Sequence, residues 1–146
     1  MAHARTQIRE AVKAHLTSIS AFNGNVFSSR FSNLQTAELP SVTVFSPQEN
    51  NDSGDIHGFS VERTLQLAIS IKTAEISNID IVLDDLCEAV EIAMDTAGGF
   101  GGLVKNIQLT ATQIQINEDA AEPVGEALLQ YQVTYFTQAN NPAITL

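Results

Sequence analysis

Apolar and polar positions follow two periods along this chain. From residue 3 to 20, Ala4, Ile8, Ala11, Val12, Leu16 and Ile19 recur with the helical period and share one face. Arg5, Arg9 and Lys13 lie beside that face at four-residue spacing, and Asn23-Gly-Asn25 ends the element. A short extended piece at Val26-Phe27 follows, then a polar stretch over 28–40. Ser41-Val-Thr-Val-Phe45 alternates as a strand does. Pro47 to Gly58 reads as a loop, because it is rich in Asn, Gly and acids and carries one large apolar side chain, Ile56. Residues 61–72 alternate strictly. Val61, Leu65, Leu67, Ile69 and Ile71 take one side, interrupted by Arg63, and polar or small residues take the other.

Ser77-Asn-Ile-Asp80 resembles a capping box and predicts a second helix running to about Ala97. Its apolar arc is Val82, Leu83, Leu86, Ala89, Val90, Ala93 and Met94. Asp80, Asp84, Glu88, Glu91 and Asp95 form a separate stripe within about 80° of one another. Gly98-Gly-Phe-Gly-Gly102 stops the helix. Residues 103–117 form a strand whose apolar phase slips near Thr112-Gln113, which predicts a bulge or a bend. An acidic loop over 117–125 leads to a last strand over 126–137. Residues 138–146 are expected to extend from the body. The whole, 1–146, reads as a single α+β domain: a mixed, largely antiparallel sheet with two amphipathic helices on one face.

Composition narrows the function. Seventeen acids against seven bases give a formal charge of −10, which disfavours a surface for binding phosphate backbones or anionic membranes. A single cysteine excludes an internal disulfide and any zinc site needing two or more cysteines. The start lacks a signal-like apolar stretch, and no segment is apolar enough to span a bilayer.

Candidate chemistry is sparse. His3 falls in a terminus expected to fray. His15 lies within the first helix's apolar arc and is expected to pack at the core edge and bond to backbone. His57 shares a loop with Asp52 and Asp55, but no HExxH, EF-hand or CxxC spacing supports a metal centre there. Cys87 has Asp84 and Glu91 as helical neighbours, and acids raise rather than lower a thiol pKa. The Gly98–Gly102 run follows a helix and precedes a strand, the reverse of a phosphate cradle. The expectation is a protein that is not an enzyme and uses no cofactor or metal. Uncharged strand faces are instead suited to a packed subunit contact: Gln66, Ala68 and Ser70; Gln108, Thr110 and Thr112; Gln130, Gln132 and Thr134.

The order and character of these segments resemble the tail terminator proteins of long-tailed bacteriophages, the lambda-type minor tail protein U family. The segments that carry the resemblance are Thr6-Gln-Ile-Arg-Glu-Ala-Val-Lys-Ala-His-Leu16, Asn25-Val-Phe27 and Leu39-Pro-Ser-Val-Thr-Val-Phe45 with its acidic loop. Arg63-Thr-Leu-Gln-Leu-Ala-Ile-Ser-Ile71, Asp80-Ile-Val-Leu-Asp-Asp-Leu86 and Leu129-Gln-Tyr-Gln-Val-Thr-Tyr135 complete it. It covers about residues 5–137; the Gly98–Gly102 loop and the residues after Gln138 lie outside it.

The resemblance implies a structural virion protein, made in the host cytoplasm and placed at the head-proximal end of the tail. It implies a homo-oligomeric ring, a hexamer, that caps the tail tube and stops its polymerisation. The tail tube protein and a head-completion or connector protein are then partners, DNA passes through without specific binding, and no membrane is involved. Another ring-forming neck or tube component, or a small α+β ligand-binding domain or enzyme, is the alternative. A ring needs two different surfaces per subunit. Arg5, Arg9 and Lys13 on one side, with Asp80, Asp84, Glu88, Glu91 and Asp95 on the other, are candidates for subunit or lumen contacts. Asn50, Asn51, Asp52, Asp55 and His57 form a candidate loop for the tube or neck.

Overall fold

Strict alternation over 61–72 leads to a central strand whose apolar face is fully buried from Leu65 to Ile71, and the rest of the chain is arranged around it. The computed structural model describes residues 2–28, 39–53, 58–75, 77–117 and 123–146. Helix α1 spans Ala4–Thr17 and a single 3-10 turn spans Ser20–Phe22. Strands β1 (Val26–Ser28), β2 (Ser41–Ser53) and β3 (Ser60–Ala74) precede helix α2 (Ile79–Thr96). Strands β4 (Asn106–Asn117), β5 (Val124–Gln138) and β6 (Asn141–Thr145) complete the chain. The sheet order is β1-β2-β3-β5-β4. Only β1 and β2 run parallel, and β6 pairs with β5. Both helices cover one face, α1 over β1 and β2 and α2 over β3 and β5. This is the expected α+β architecture with a mixed, largely antiparallel sheet.

The core lies between that face and the helices. Val42 and Val44 of β2, Leu65 to Ile71 of β3 in alternation, and Ala127, Leu129 and Val133 of β5 are buried. They meet Ile8, Val12 and Leu16 of α1 and Leu83, Leu86, Val90 and Met94 of α2. Gly125 sits where the first turn of α2 crosses β5. A Cβ there would lie 3.1 Å from Ile79 Cδ1 and 3.4 Å from Leu83 Cδ2, so a small residue permits the close approach.

Several expected boundaries move, each for a local reason. α1 stops at Thr17 rather than 20, because the Thr17 and Ser18 hydroxyls donate to the carbonyls of Lys13 and His15. His3 does not fray: its Nδ1 accepts from the Arg5 amide at 3.0 Å and caps α1. The N-cap of α2 is Asn78 in the left-handed region rather than Ser77, with no side-chain cap. Asp80 accepts instead from the Ile81 amide at 3.0 Å.

Residues 47–53, expected in a loop, continue β2. A bulge between Phe45 and Gln48 preserves the ladder, and pairing resumes from Gln48 with Gln66 to Ser53 with Val61. Backbone pairing holds this segment even though its side chains are polar. Asn50, Asn51 and Asp52 are therefore strand residues, while Asp55 and His57 lie outside the described residues. The bulge in β4 falls between Leu109 and Ala111, slightly earlier than expected, and turns Thr112, Ile114 and Ile116 toward the helix side. The C-terminal segment does not extend away. It reverses at 139–140 and returns as β6, where the Leu146 amide donates to the Phe136 carbonyl and Gln7 Nε2 donates to the Ala143 carbonyl.

This division of burial predicts contrasting mutants. Leu129→Ala, at the covered centre of β5, is expected to cost about 2–5 kcal/mol of unfolding free energy. Ile114→Ala, half-exposed on β4, should change it by less than about 0.5 kcal/mol, both read from urea denaturation.

Candidate functional site

The outer face of the sheet carries no helix among the described residues. Cross-strand register aligns its side chains into rows: Gln48, Gln66, Gln132 and Gln108 form one, and Asn50, Thr64, Thr134 and Asn106 the next. Partners in register share a face, so these amides and hydroxyls stand side by side across β2, β3, β5 and β4. Gln66, Gln130, Gln132 and Thr134 are half-buried by their neighbours alone. Thr112 leaves the group because the β4 bulge turns it over. The result is a broad, hydrogen-bonding surface whose central rows carry no charge, with Asp52 and Glu62 toward one end and Lys72 and Glu126 toward the other.

The helix side is acidic. Asp80, Asp84, Glu88, Glu91 and Asp95 are all exposed along α2. Glu91 and Asp95 line an open cleft of about 380 Å³ whose other walls include Ile107 and Leu109 of β4 and Tyr131 of β5. Burial, and then the charges of Glu91 and Asp95, raise the Tyr131 phenol well above its ordinary value.

The candidate basic residues of α1 do not stand together as a free patch. Arg5 Nη1 donates to Glu49 Oε2 at 2.6 Å, and Arg9 donates to Ser46 Oγ at 2.7 Å and Thr6 Oγ1 at 3.2 Å. Lys13 is half-buried on the same helix. Within the chain the helices meet elsewhere, where His15 Nε2 bonds the Ala93 carbonyl at 2.7 Å and its ring meets Phe100 edge-on. His15 is thus the core-edge, backbone-bonded histidine that its position predicts.

One cluster escapes the sequence reading. Glu49 lies on the helix side of β2 with its side chain only 5% exposed, and it accepts from Arg5, from Arg63 Nη1 at 2.9 Å and from the Tyr135 hydroxyl. Arg63 Nε also donates to Thr137 Oγ1 at 2.9 Å. The signal was Arg63 itself: a cation in the apolar phase of β3 requires a carboxylate nearby, and Glu49, diagonal to it across the β2–β3 ladder, supplies one. Burial alone would raise the Glu49 pKa, but the bonds from Tyr135, Arg5 and Arg63 outweigh it and hold the carboxyl below its ordinary value. Burial and the Glu49 bond push Tyr135 upward. Burial, Arg5 and Arg63 push His3 downward, which keeps its imidazole neutral and able to cap α1.

No activated nucleophile stands among the described groups. Burial, then Glu91 and Asp84, push Cys87 up to about 11. Gly98–Gly102 forms a closed turn in which the Gly99 carbonyl accepts from the amides of Gly102 and Val104, both at 3.1 Å. Among the described residues, no group of three or more His, Cys, Asp or Glu could hold a metal ion, and no helix is long and apolar enough to cross a membrane.

The sequence model of the phage minor tail protein U family matches residues 3–135. The chain belongs to this family. As a member of it, the chain is a phage tail structural component, and the family points to a non-enzymatic role in assembly with other virion components. Among solved structures it is similar to a chain from the virion of a native gene transfer agent particle. The two share 12% identity with a TM-score of 0.46, over 91% of this chain and 99% of that one. A search of curated proteins finds no match.

The Glu49 cluster gives a testable stability effect. Glu49→Ala leaves two cations and a phenol without their acceptor and is expected to cost about 3–5 kcal/mol. Because the folded carboxyl titrates below its ordinary value of 4.5, its contribution is complete above that pH. It is lost as pH falls further through the lowered value. Urea denaturation from neutral pH downward should show that acid-side loss in the parent chain and a shallower slope in Glu49→Gln.

Proposed function

We propose that this protein is a tail terminator: a ring-forming subunit that caps the head-proximal end of the tail tube, stops its growth and receives the head-completion or connector protein. The observation that carries the reading is the outer sheet face, taken with membership of the minor tail protein U family. Its rows of Gln, Asn and Thr are flat, uncharged and fully equipped to hydrogen-bond, the composition of a contact between subunits made without charge. A ring, six subunits in this reading, closes through contacts between unlike surfaces, and the rows on one subunit meet a different surface on the next. Asn50, Asn51 and Asp52, on the outer half of β2, lie toward the hairpin end that meets the tube or the neck. DNA crosses the ring without specific binding, consistent with a chain of net charge −10.

The test has two parts. Tails assembled without the protein are expected to be overlong, and added protein should restore a uniform length; tails of normal length in its absence would end the terminator reading. Native mass spectrometry on protein bound to tube ends should give a ring. Gln132→Arg, at the centre of the outer face, should abolish the ring and the capping while shifting unfolding free energy by less than about 1 kcal/mol. Rings that still form with that variant would remove the outer face from the contact.

A further inference from the structure

The helix side of β4 is open in a way the rest of the sheet is not. α2 begins on Gly125, with Ile79 and Leu83 against it, and its far end reaches Tyr131, so the helix runs along β5. It leaves the next strand uncovered. Ile114 and Ile116 face the helix side opposite Ala127 and Gly125, yet they are 50% and 38% exposed. Farther along the same side of the strand, Ile107 and Leu109 floor the cleft walled by Glu91 and Asp95, so the register lines these four side chains up as the floor of a trough running beside α2. The trough's outer boundary is the edge of β4. From Ala111 to Asn117 that edge carries no lysine, proline or glycine and no charge, and no described strand pairs with it. Proteins usually blunt such an edge with a lysine, a proline or a covering element.

We propose that this trough docks an extended segment of a different, basic protein, which adds to β4 as a further strand. Its inward side chains are apolar and Lys or Arg in alternate positions. The apolar ones cover Ile114 and Ile116, and the cations reach the carboxylates of α2. Its outward side chains are polar and uncharged, because they lie directly beside Gln113 and Gln115 at the strand edge. Charge selects the occupant. A second copy of this chain brings a net −10 of its own and only seven basic residues. Of these, Arg5 and Arg63 are held by Glu49 and Arg9 is held by Ser46. The carboxylates of α2 therefore call for a partner with basic groups to spare. The inference stands apart from the ring contact proposed for the rows of the outer face.

The test uses the intact protein and a labelled ten-residue peptide in which Ile and Lys alternate with Thr, beside its counterpart with Glu in place of Lys. Fluorescence anisotropy should show the Lys peptide binding at least about tenfold more tightly than the Glu peptide. The advantage should shrink as salt rises. Amide exchange over 111–117 should slow when the Lys peptide binds. The double variant Ile114→Lys, Ile116→Lys should weaken binding by about tenfold or more, whereas Phe59→Lys, exposed at the far end of the sheet, should leave it unchanged. Equal binding of both peptides, or amide protection confined to other strands, would overturn the proposal. In assembled tails, a photo-crosslinking residue in place of Thr112, which faces the helix side, should join the chain to a different protein. Crosslinks to a second copy alone would show that the trough is a contact between copies and would equally overturn it.

Discussion

A sheet of this width must bury its apolar face, and the chain supplies two helices to do it. α1 has 14 residues and α2 has 18, and each can cover about two strands. α2 lies over β3 and β5, and α1 over β1 and β2. That allocation fixes the other features. The core is complete beneath the helices, where Leu65, Ile69, Leu129 and Val133 are fully buried. It runs out at β4, where the same inward phase leaves Ile114 and Ile116 in the open. With both helices on one side, the opposite face has no described cover, and its side chains are correspondingly Gln, Thr and Asn rather than Val and Ile.

The end of the sheet under the start of α1 is closed by charge instead of hydrocarbon. Arg63, Glu49, Arg5 and Tyr135 are bound into one hydrogen-bonded group. Such a group gains little over a well-packed apolar substitute, but it is costly to break, and it accepts only one geometry. It fixes the strand register at a point where β2 has just passed a bulge and a one-residue slip would otherwise turn its side chains over. It also ties the first turn of α1 to β2, β3 and β5. His3, neutral in this electropositive neighbourhood, caps the same turn.

The sequence is legible where side-chain period and burial coincide. Leu65, Leu67, Ile69 and Ile71 announce β3, Leu83 to Met94 announce α2, and the phase change between Leu109 and Ile114 announces the β4 bulge. It misleads where the backbone alone decides. Gln48 to Ser53 have the composition of a loop, yet they complete a ladder against β3, because hydrogen bonds between strands need no apolar side chains. Asn141 to Thr145 likewise form β6 by pairing with β5 and meeting α1. Of the candidate contact residues, the acids of α2 are where their helical phase places them, exposed and in line. Arg5 is not free, and the residue that captures it, Glu49, is distant in sequence and sits in the segment whose composition hides its strand.

The two sides of the molecule differ in kind, and that difference constrains how it can assemble. On the helix side the five carboxylates of α2 are held in a row, although carboxylates four residues apart repel by a few tenths of a kcal/mol per pair. Asp95, near the helix C-terminus, is further disfavoured by the helix dipole. On the sheet side the central rows of Gln, Asn and Thr are uncharged. A contact through the sheet side depends on matched hydrogen bonds and is nearly indifferent to salt. One through the helix side depends on opposite charge and weakens with salt. A neighbour suited to one side is therefore poorly suited to the other: a basic segment finds no charge on the amide rows, and an uncharged polar face leaves the α2 carboxylates unpaired. That asymmetry is enough for one small domain to tell an uncharged polar neighbour from a basic one.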